Sequence, residues 1–391
     1  MTEHHQTTKL TTELQEIAAA GLTRRRRVLE SPCGRSATVD GQKMLNFASN
    51  DYLGLAGNSL IAQAMAEGAM QWGAGSGASH LVSGHLAPHE RLENEIAAFL
   101  GFPRALSFST GYLANLAIVP TLAGRGAAIF ADKLNHASLI DAVQLAKAQG
   151  ADSQRYPHND MAALERLLAA SPATTKLIVT DAVFSMDGDL APLPQLLDLA
   201  KRHDAWLVID DAHGFGVLGT QGRGSLAHFN IPADPRILLM GTLGKAAGVG
   251  GAFVAGSEIA IEYLLQRARS YIFTTAAPPA VACALVKSLE IIADGDHLRR
   301  NLMARIAQLR DGLATLPWQL LPSLTAIQPV VIGDNEAAVK CATALWERGL
   351  WVPAIRPPTV PKGTARLRIS VSAAHTTDDI DQLINALKAL A

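Results

Sequence analysis

The chain has few cysteines, almost no net charge and no long apolar run, and each shortage removes a class of protein. Its three cysteines, Cys33, Cys283 and Cys341, are far apart, odd in number and free of C-x-x-C spacing. That argues against a disulfide framework or a zinc site and suits a reducing cytoplasm. Lys and Arg total 34 against 35 for Asp and Glu, so no long-range field draws the chain to nucleic acid or to a membrane surface. No apolar run is long enough to span a bilayer, and the opening MTEHHQTTKL lacks the basic start and apolar stretch of a secretory leader.

Several catalytic signatures are missing as well. No G-x-S-x-G elbow occurs, which removes the commonest α/β-hydrolase signal. GAGSGASHLVSG is glycine-rich but follows no apolar strand, so a Rossmann dinucleotide fingerprint is not supported. His85 and His89 are four residues apart, but no H-E-x-x-H appears, and Pro88 is expected to break the helix that would align them. A metal site is therefore not expected.

What is present is a chain of 391 residues, 49% hydrophobic and 18% charged, enough to bury a large core and to divide into two domains. Leu10, Leu14, Ile17 and Leu22 recur at roughly helical spacing, predicting an amphipathic helix that leads into four arginines, Arg24 to Arg27. The run reads as a solvated face, although a single arginine in it can still meet a substrate carboxylate. From about residue 100 to residue 255, apolar runs of strand length alternate with helical patterns, which predicts an α/β fold with a mostly parallel sheet covered on both faces. The expected strands are Ala105 to Ser109, Ala127 to Ala131, Lys176 to Thr180, Trp206 to Ile209, Arg236 to Met240 and Ala252 to Ala255. Most run into polar or glycine residues at their C-terminal ends, where open α/β sheets bind ligands. Two later strands, Ala326 to Ile332 and Ala365 to Val371, enclose a proline-rich irregular loop, and a final helix is expected over Asp378 to Leu390.

Three segments carry candidate chemistry. In WLVIDDAHGFGVLG an apolar strand ends in Asp210, with His213 three residues on; alone, the Asp-Asp pair reads more readily as a cap for the next helix. In RILLMGTLGKAAGVGGAFVAG, Lys245 stands among Gly241, Gly244, Gly248, Gly250 and Gly251. A P-loop lysine needs G-x-x-x-x-G-K followed by Ser or Thr, and here Gly241 is too close and Ala246 follows. Partial desolvation would lower the pKa of such a lysine and suit it to imine chemistry, with the glycines letting backbone approach a bulky ligand. In ALSFSTGYLANLAIV, the amides near Gly111 and Tyr112 open a helix and suit an anion, although Ser-Thr-Gly is also an ordinary cap. His136, in DKLNHASL, is by itself more often structural.

Taken with FASNDYLGL, VFSMDGDLAPL and AIRPPTVPKGTARLRIS, these blocks resemble, in order and over nearly the whole chain, the α-oxoamine synthases of the fold-type I pyridoxal-phosphate enzymes. The resemblance implies a large domain over 51–285 with a seven-stranded, mostly parallel sheet. It also implies a smaller α+β domain over 286–391, joined by the N-terminal segment 1–50. It implies pyridoxal 5′-phosphate as cofactor, with Lys245 holding it as a Schiff base and then serving as base, and Asp210 pairing with the pyridine nitrogen. His213 and Ser185 would lie near the ring's phenolate oxygen, and His136 would stack on the ring and serve in catalysis. Gly111, Tyr112 and Thr242 would meet the phosphate, with Thr274 or Thr275 reaching that of a neighbouring subunit in a homodimer.

The last block and the arginine run are closest to the branch that condenses L-alanine with a pimeloyl thioester, carried on coenzyme A or acyl carrier protein, for biotin synthesis. Arg368 would then hold the amino acid carboxylate, Arg24 the acyl substrate, and Thr359 would line the same cavity. A relative joining glycine to acetyl-CoA, 2-amino-3-ketobutyrate CoA ligase, is the alternative. Asp181 stands where several members have glutamate.

Overall fold

The computed structural model describes residues 5–19 and 21–391, so the leader-free reading of MTEHHQTTKL lies partly outside the described residues. A seven-stranded sheet forms the centre. Its order across the sheet is Arg104–Phe108, Ala252–Gly256, Ile237–Thr242, Ala205–Asp210, Lys176–Asp181, Ala128–Asp132 and Asp152–Tyr156. Only Ala252–Gly256 runs antiparallel to its neighbours; the other pairings are parallel.

Alternation along the strands builds two cores, one on each face. Leu207 and Ile209 enter one cluster with Ile178, while Val208 enters the other with Leu177 and Val179. Register then fixes the ligand edge: Asp181 lies opposite Asp210, and Asp210 opposite Met240. Polar residues that end successive apolar strands are thereby delivered to one crevice.

The six expected strands form, within a residue or two of their expected ends. The seventh, Asp152–Tyr156, has no apolar signal because it is an edge strand in which only Tyr156 is buried. A four-stranded sheet combines Gln319–Leu320, Ile327–Gly333, Ala365–Ser370 and Ala354–Ile355, and a three-stranded one combines Ser36–Val39, Gln42–Asn46 and Leu350–Trp351. The parallel pairing of Leu350 with Leu45 ties the two ends of the chain together.

Two expectations change. The glycines around Lys245 serve the protein's own packing at two places. A Cβ at Gly241 would lie 2.3 Å from the Phe253 ring, and one at Gly248, where φ is +71°, would lie 2.5 Å from the backbone at Leu55 and Ala56. Gly250 has open space beside it, and a Cβ at Gly244 would make only ordinary contacts, 3.8 Å from Gly250 and Thr242. The first helix, His5–Ala19, forms as an amphipathic element, but Leu10, Leu14 and Ile17 remain exposed.

Candidate active site

Lys245 follows the strand Ile237–Thr242 in a turn where the Gly248 amide donates to the Lys245 carbonyl. Its Nζ lies 2.9 Å from His213 Nε2, and His213 Nδ1 lies 2.7 Å from the Tyr52 hydroxyl. Tyr52 donates its one hydrogen to Asn50 Oδ1 at 3.0 Å. His213 must then donate through Nδ1 and accept at Nε2 from the lysine. Burial pulls the Lys245 pKa down to about 8, against the pull of Asp210 and Asp181, and so frees part of its amine lone pair near neutral pH. His213 is held well below its ordinary value, by burial first and then by the Lys245 charge, so it stays neutral.

Asp210 ends its strand 3% exposed. Its Oδ1 accepts the Ala212 amide at 3.0 Å and its Oδ2 accepts Asn115 Nδ2 at 2.8 Å. The pair Asp210-Asp211 is therefore no simple helix cap. Asp211 instead takes the Ser225 amide at 2.7 Å and its hydroxyl at 2.5 Å, pinning the turn after His213. Burial pushes the Asp211 carboxyl up to about 7. On the other side of the crevice, Asp181 Oδ2 accepts the His136 amide at 2.6 Å, and Asn135 Oδ1 accepts the Asp181 amide at 3.2 Å. Asp181 thus orients the His136 turn. His136 itself is exposed toward the crevice; desolvation lowers its pKa, opposed by Asp210.

An anion end lies nearby. The helix Gly111–Leu122 begins after Thr110, whose hydroxyl accepts the Leu113 amide at 3.2 Å. Helical geometry gives the Gly111 and Tyr112 amides no acceptor within the helix. A Cβ at Gly111 would fall 4.0 Å from the Thr242 side chain, so the two residues line one cradle. The Tyr112 hydroxyl donates to Asp141. Thr275 bridges to Ser79, and neither Thr274 nor Thr275 is hydrogen-bonded to Gly111, Tyr112 or Thr242 within the chain.

Arg368, 6% exposed, reaches the crevice from the strand Ala365–Ser370. Its Nε donates to the Ser185 carbonyl at 2.6 Å, which fixes the segment carrying Ser185. One terminal nitrogen donates to Ser370 Oγ at 3.0 Å, while both reach Asn50 Oδ1 at 3.3 Å. Those two long bonds are the ones an incoming carboxylate can displace to engage the guanidinium fork. Arg24 and Thr359 meet in a separate cavity of about 310 Å³, which Arg356 also lines. No hydrogen bond or ion pair joins them to Lys245 among the described residues. The arginine run divides: Arg25 and Arg27 pair with Asp40 at 3.8 and 3.0 Å, and Arg27 also covers the Trp346 ring at 3.5 Å.

The reading of His85 and His89 needs correction. Pro88 falls in the first turn of the helix Ala87–Leu100, where its missing N–H costs nothing, and the helix continues through it. The rings of His80, His85 and His89 then gather with centroids 5.1 to 5.7 Å apart. Most of their nitrogens are already engaged, however; of these rings only His80 Nε2 has no hydrogen-bond partner among the described residues. His89 accepts the Leu86 amide at 3.0 Å and donates to the Ala277 carbonyl at 2.8 Å, while His85 bridges His80 at 2.8 Å and Glu90 at 3.0 Å.

The profile of aminotransferase class I and II matches residues 42–387. The 8-amino-7-oxononanoate synthase of Dechloromonas aromatica (strain RCB) is 79% identical over 98% of this chain and 99% of its own length. The chain belongs to the 8-amino-7-oxononanoate synthase family. The Herminiimonas arsenicoxydans member is 64% identical over 97% of this chain and 98% of its own. Among solved structures, a serine palmitoyltransferase variant from S. paucimobilis with bound PLP–myriocin superposes with a TM-score of 0.91 at 30% identity, covering 99% of this chain and 98% of that one. An 8-amino-7-oxononanoate synthase from Francisella tularensis gives 0.76 at 32% identity, with 89% and 96% covered. The fold is that of the fold-type I transferases.

The residues present fit the cofactor that this family membership implies. A phosphorylated pyridine aldehyde needs an amine, an acceptor carboxylate and an anion end, and Lys245, Asp210 and the Gly111–Thr242 cradle offer one each. Tyr52, Asn50, Asn115 and Ser138 escaped the sequence reading as site residues. Tyr52 and Asn50 lie inside the FASNDYLGL block, and Asn115 and Ser138 inside FSTGYLAN and DKLNHASL, so the signal was their place in those blocks.

Proposed function

We propose that the chain is an acyltransferase that joins L-alanine to a pimeloyl thioester with loss of carbon dioxide, releasing 8-amino-7-oxononanoate and the free thiol carrier for biotin synthesis. The observation that carries this reading is the Lys245–His213–Tyr52 chain beside Asp210, in a protein 79% identical to an 8-amino-7-oxononanoate synthase.

Pyridoxal 5′-phosphate is the cofactor, and when bound it supplies a cationic ring that takes up the electron pair left on the amino acid α-carbon. Asp210 holds the ring nitrogen's proton, since a neighbouring carboxylate favours the cation. The Gly111 and Tyr112 amides and Thr242 would hold the phosphate, with His213 and Ser185 placed for the ring oxygen and His136 for a ring face. Lys245 Nζ would anchor the cofactor and, as a free amine, would take the α-proton; a pKa of about 8 keeps a working share of free amine. Arg368 orients the alanine carboxylate. Arg24 meets the distal carboxylate of the pimeloyl chain, with Thr359 against the chain itself.

The working unit is a homodimer with active sites at the subunit interface, in which Thr274 or Thr275 reaches the neighbouring phosphate. Exposed Leu10, Leu14 and Ile17 support a second copy covering that helix. The three free cysteines accord with a cytoplasmic setting, and no helix among the described residues is long and apolar enough to cross a membrane. The chain divides into a segment 1–50 that joins a small domain at 286–391, and a large cofactor-binding domain at 51–285. Coenzyme A and acyl carrier protein are both admitted as carriers.

A product assay tests the reading. Purified protein with added pyridoxal phosphate is given alanine with pimeloyl-CoA or pimeloyl-acyl carrier protein, and in parallel glycine with acetyl-CoA. The expected result is 8-amino-7-oxononanoate with matching carbon dioxide release from the first pair. Faster turnover of glycine with acetyl-CoA would overturn it in favour of the ligase alternative.

A further inference from the structure

Asn115 sits in the helix Gly111–Leu122 with no exposed surface, and its Nδ2 lies 2.8 Å from Asp210 Oδ2 and 2.8 Å from Ser138 Oγ. A carboxylate accepts and an amide nitrogen donates, so both Asn115 hydrogens are assigned: one to Asp210, one to Ser138. The Ser138 oxygen is then an acceptor toward Asn115, and its own hydrogen is free to turn elsewhere. His136 Nδ1 lies 2.8 Å from that oxygen, and the Ser138 backbone amide points at the same nitrogen from 3.2 Å. Two donors converging on Nδ1 require a lone pair there. The imidazole proton must therefore sit on Nε2.

Nothing else contests that assignment. Nε2 has no hydrogen-bond partner among the described residues, and His136 is exposed on the crevice side. The charged and titratable groups near the ring include Asp210, Lys245, Asp141 and His213, with Asp181 on the His136 amide. A doubly protonated ring would also turn an N–H against the Ser138 amide.

We propose that Ser138 and Asn115 are positioning residues that hold His136 as the Nε2–H tautomer, giving the crevice a hydrogen-bond donor of fixed sense. The same amide steadies Asp210, so one side chain aligns the group beneath the ring and the group assigned to its nitrogen. This rests on the placement of His136 and Asp210 in the cofactor site proposed above.

The test reads the tautomer directly. Full-length protein loaded with pyridoxal phosphate and carrying ¹⁵N-labelled histidine is examined by long-range ¹H–¹⁵N NMR from pH 6 to 9, with His136→Gln identifying the His136 signals. Wild-type protein is expected to show one neutral Nε2–H form. Ser138→Ala, which leaves only the longer backbone amide bond on Nδ1, is expected to let a minor Nδ1–H fraction appear beside the Nε2–H form, with Ser138→Thr restoring the wild-type spectrum. In turnover, Ser138→Ala should lower kcat about tenfold, the scale of one neutral hydrogen bond, with KM for alanine little changed. Asn115→Leu should mix the tautomers too, and its melting curve shows whether it folds.

Protonation at Nδ1 in the wild type overturns the proposal, as does a Ser138→Ala spectrum identical to wild type. Because the spectrum does not depend on turnover, an Nε2–H signal in a protein that fails the product assay would sink the proposed reaction and leave this assignment standing.

Discussion

Two regions of the molecule gather imidazoles, and they differ in what the nitrogens are left to do. At His80, His85 and His89, His89 gives one nitrogen to the Leu86 amide and the other to the Ala277 carbonyl, and His85 spans His80 and Glu90. Burial and the neighbouring rings hold the His80 pKa down to about 4, so His80 is neutral, and of the three rings only its Nε2 lacks a hydrogen-bond partner among the described residues. Around Lys245, His213 passes a hydrogen-bond chain to an amine whose pKa is lowered, and His136 keeps one nitrogen turned to open space. Residue type does not distinguish the two. Unspent valence beside a nucleophile does, and that is what makes one region a place for chemistry and the other a packed joint.

The largest expected effect falls on the open region. Lys245→Ala should cost turnover about 10²–10⁴-fold or more, the scale of a lost proton-transfer group, while the thermal midpoint moves little. Steady-state assays beside a melting curve check this. A variant retaining near wild-type turnover would remove the distinction altogether.

His89→Leu probes the closed region in the opposite way. It removes the side-chain partner of the half-buried Leu86 amide and one of two donors to the half-buried Ala277 carbonyl, which keeps Ser76, so stability measured by urea unfolding should fall by about 1 kcal/mol with kcat nearly unchanged. A fall in kcat at unchanged stability would move the cluster into the chemistry.

The smallest effect concerns a histidine outside both regions, which is charged where His80 and His213 are neutral. Burial alone would lower the His158 pKa, but hydrogen bonds to Asp132 at 3.1 Å and Asp189 at 2.8 Å raise it to about 10. A raised pKa adds stability in full below the ordinary value of 6.5, and that share fades as pH climbs to about 10. The stability gap between wild type and His158→Gln should therefore be widest near pH 6 and close toward pH 10. A gap that widens with pH would show that His158 is held neutral like His80.

Much of this was readable before any folding was considered. The apolar runs ending in Asp181, Asp210 and Gly241-Thr242 are dictated by burial on both sheet faces, so strand positions and the crevice edge follow from the pattern. The edge strand Asp152–Tyr156 was not readable, because a strand half in water needs no apolar run. Pro88 misled for a local reason, since proline breaks a helix interior but fits its first turn.

By itself the sequence determined the residue types and their order: an acid at one strand end, a glycine-flanked lysine after another, and blocks in the order of one family. Only the tertiary structure decided which of them meet. Tyr52 reaches His213 across 161 positions and Asn115 reaches Asp210 across 95, contacts no local pattern encodes because hydrogen-bond partners are chosen by packing rather than by spacing. The glycines near Lys245 make the same point, for composition suggested room for a ligand, while Phe253 and the Leu55–Ala56 backbone claim the space at Gly241 and Gly248.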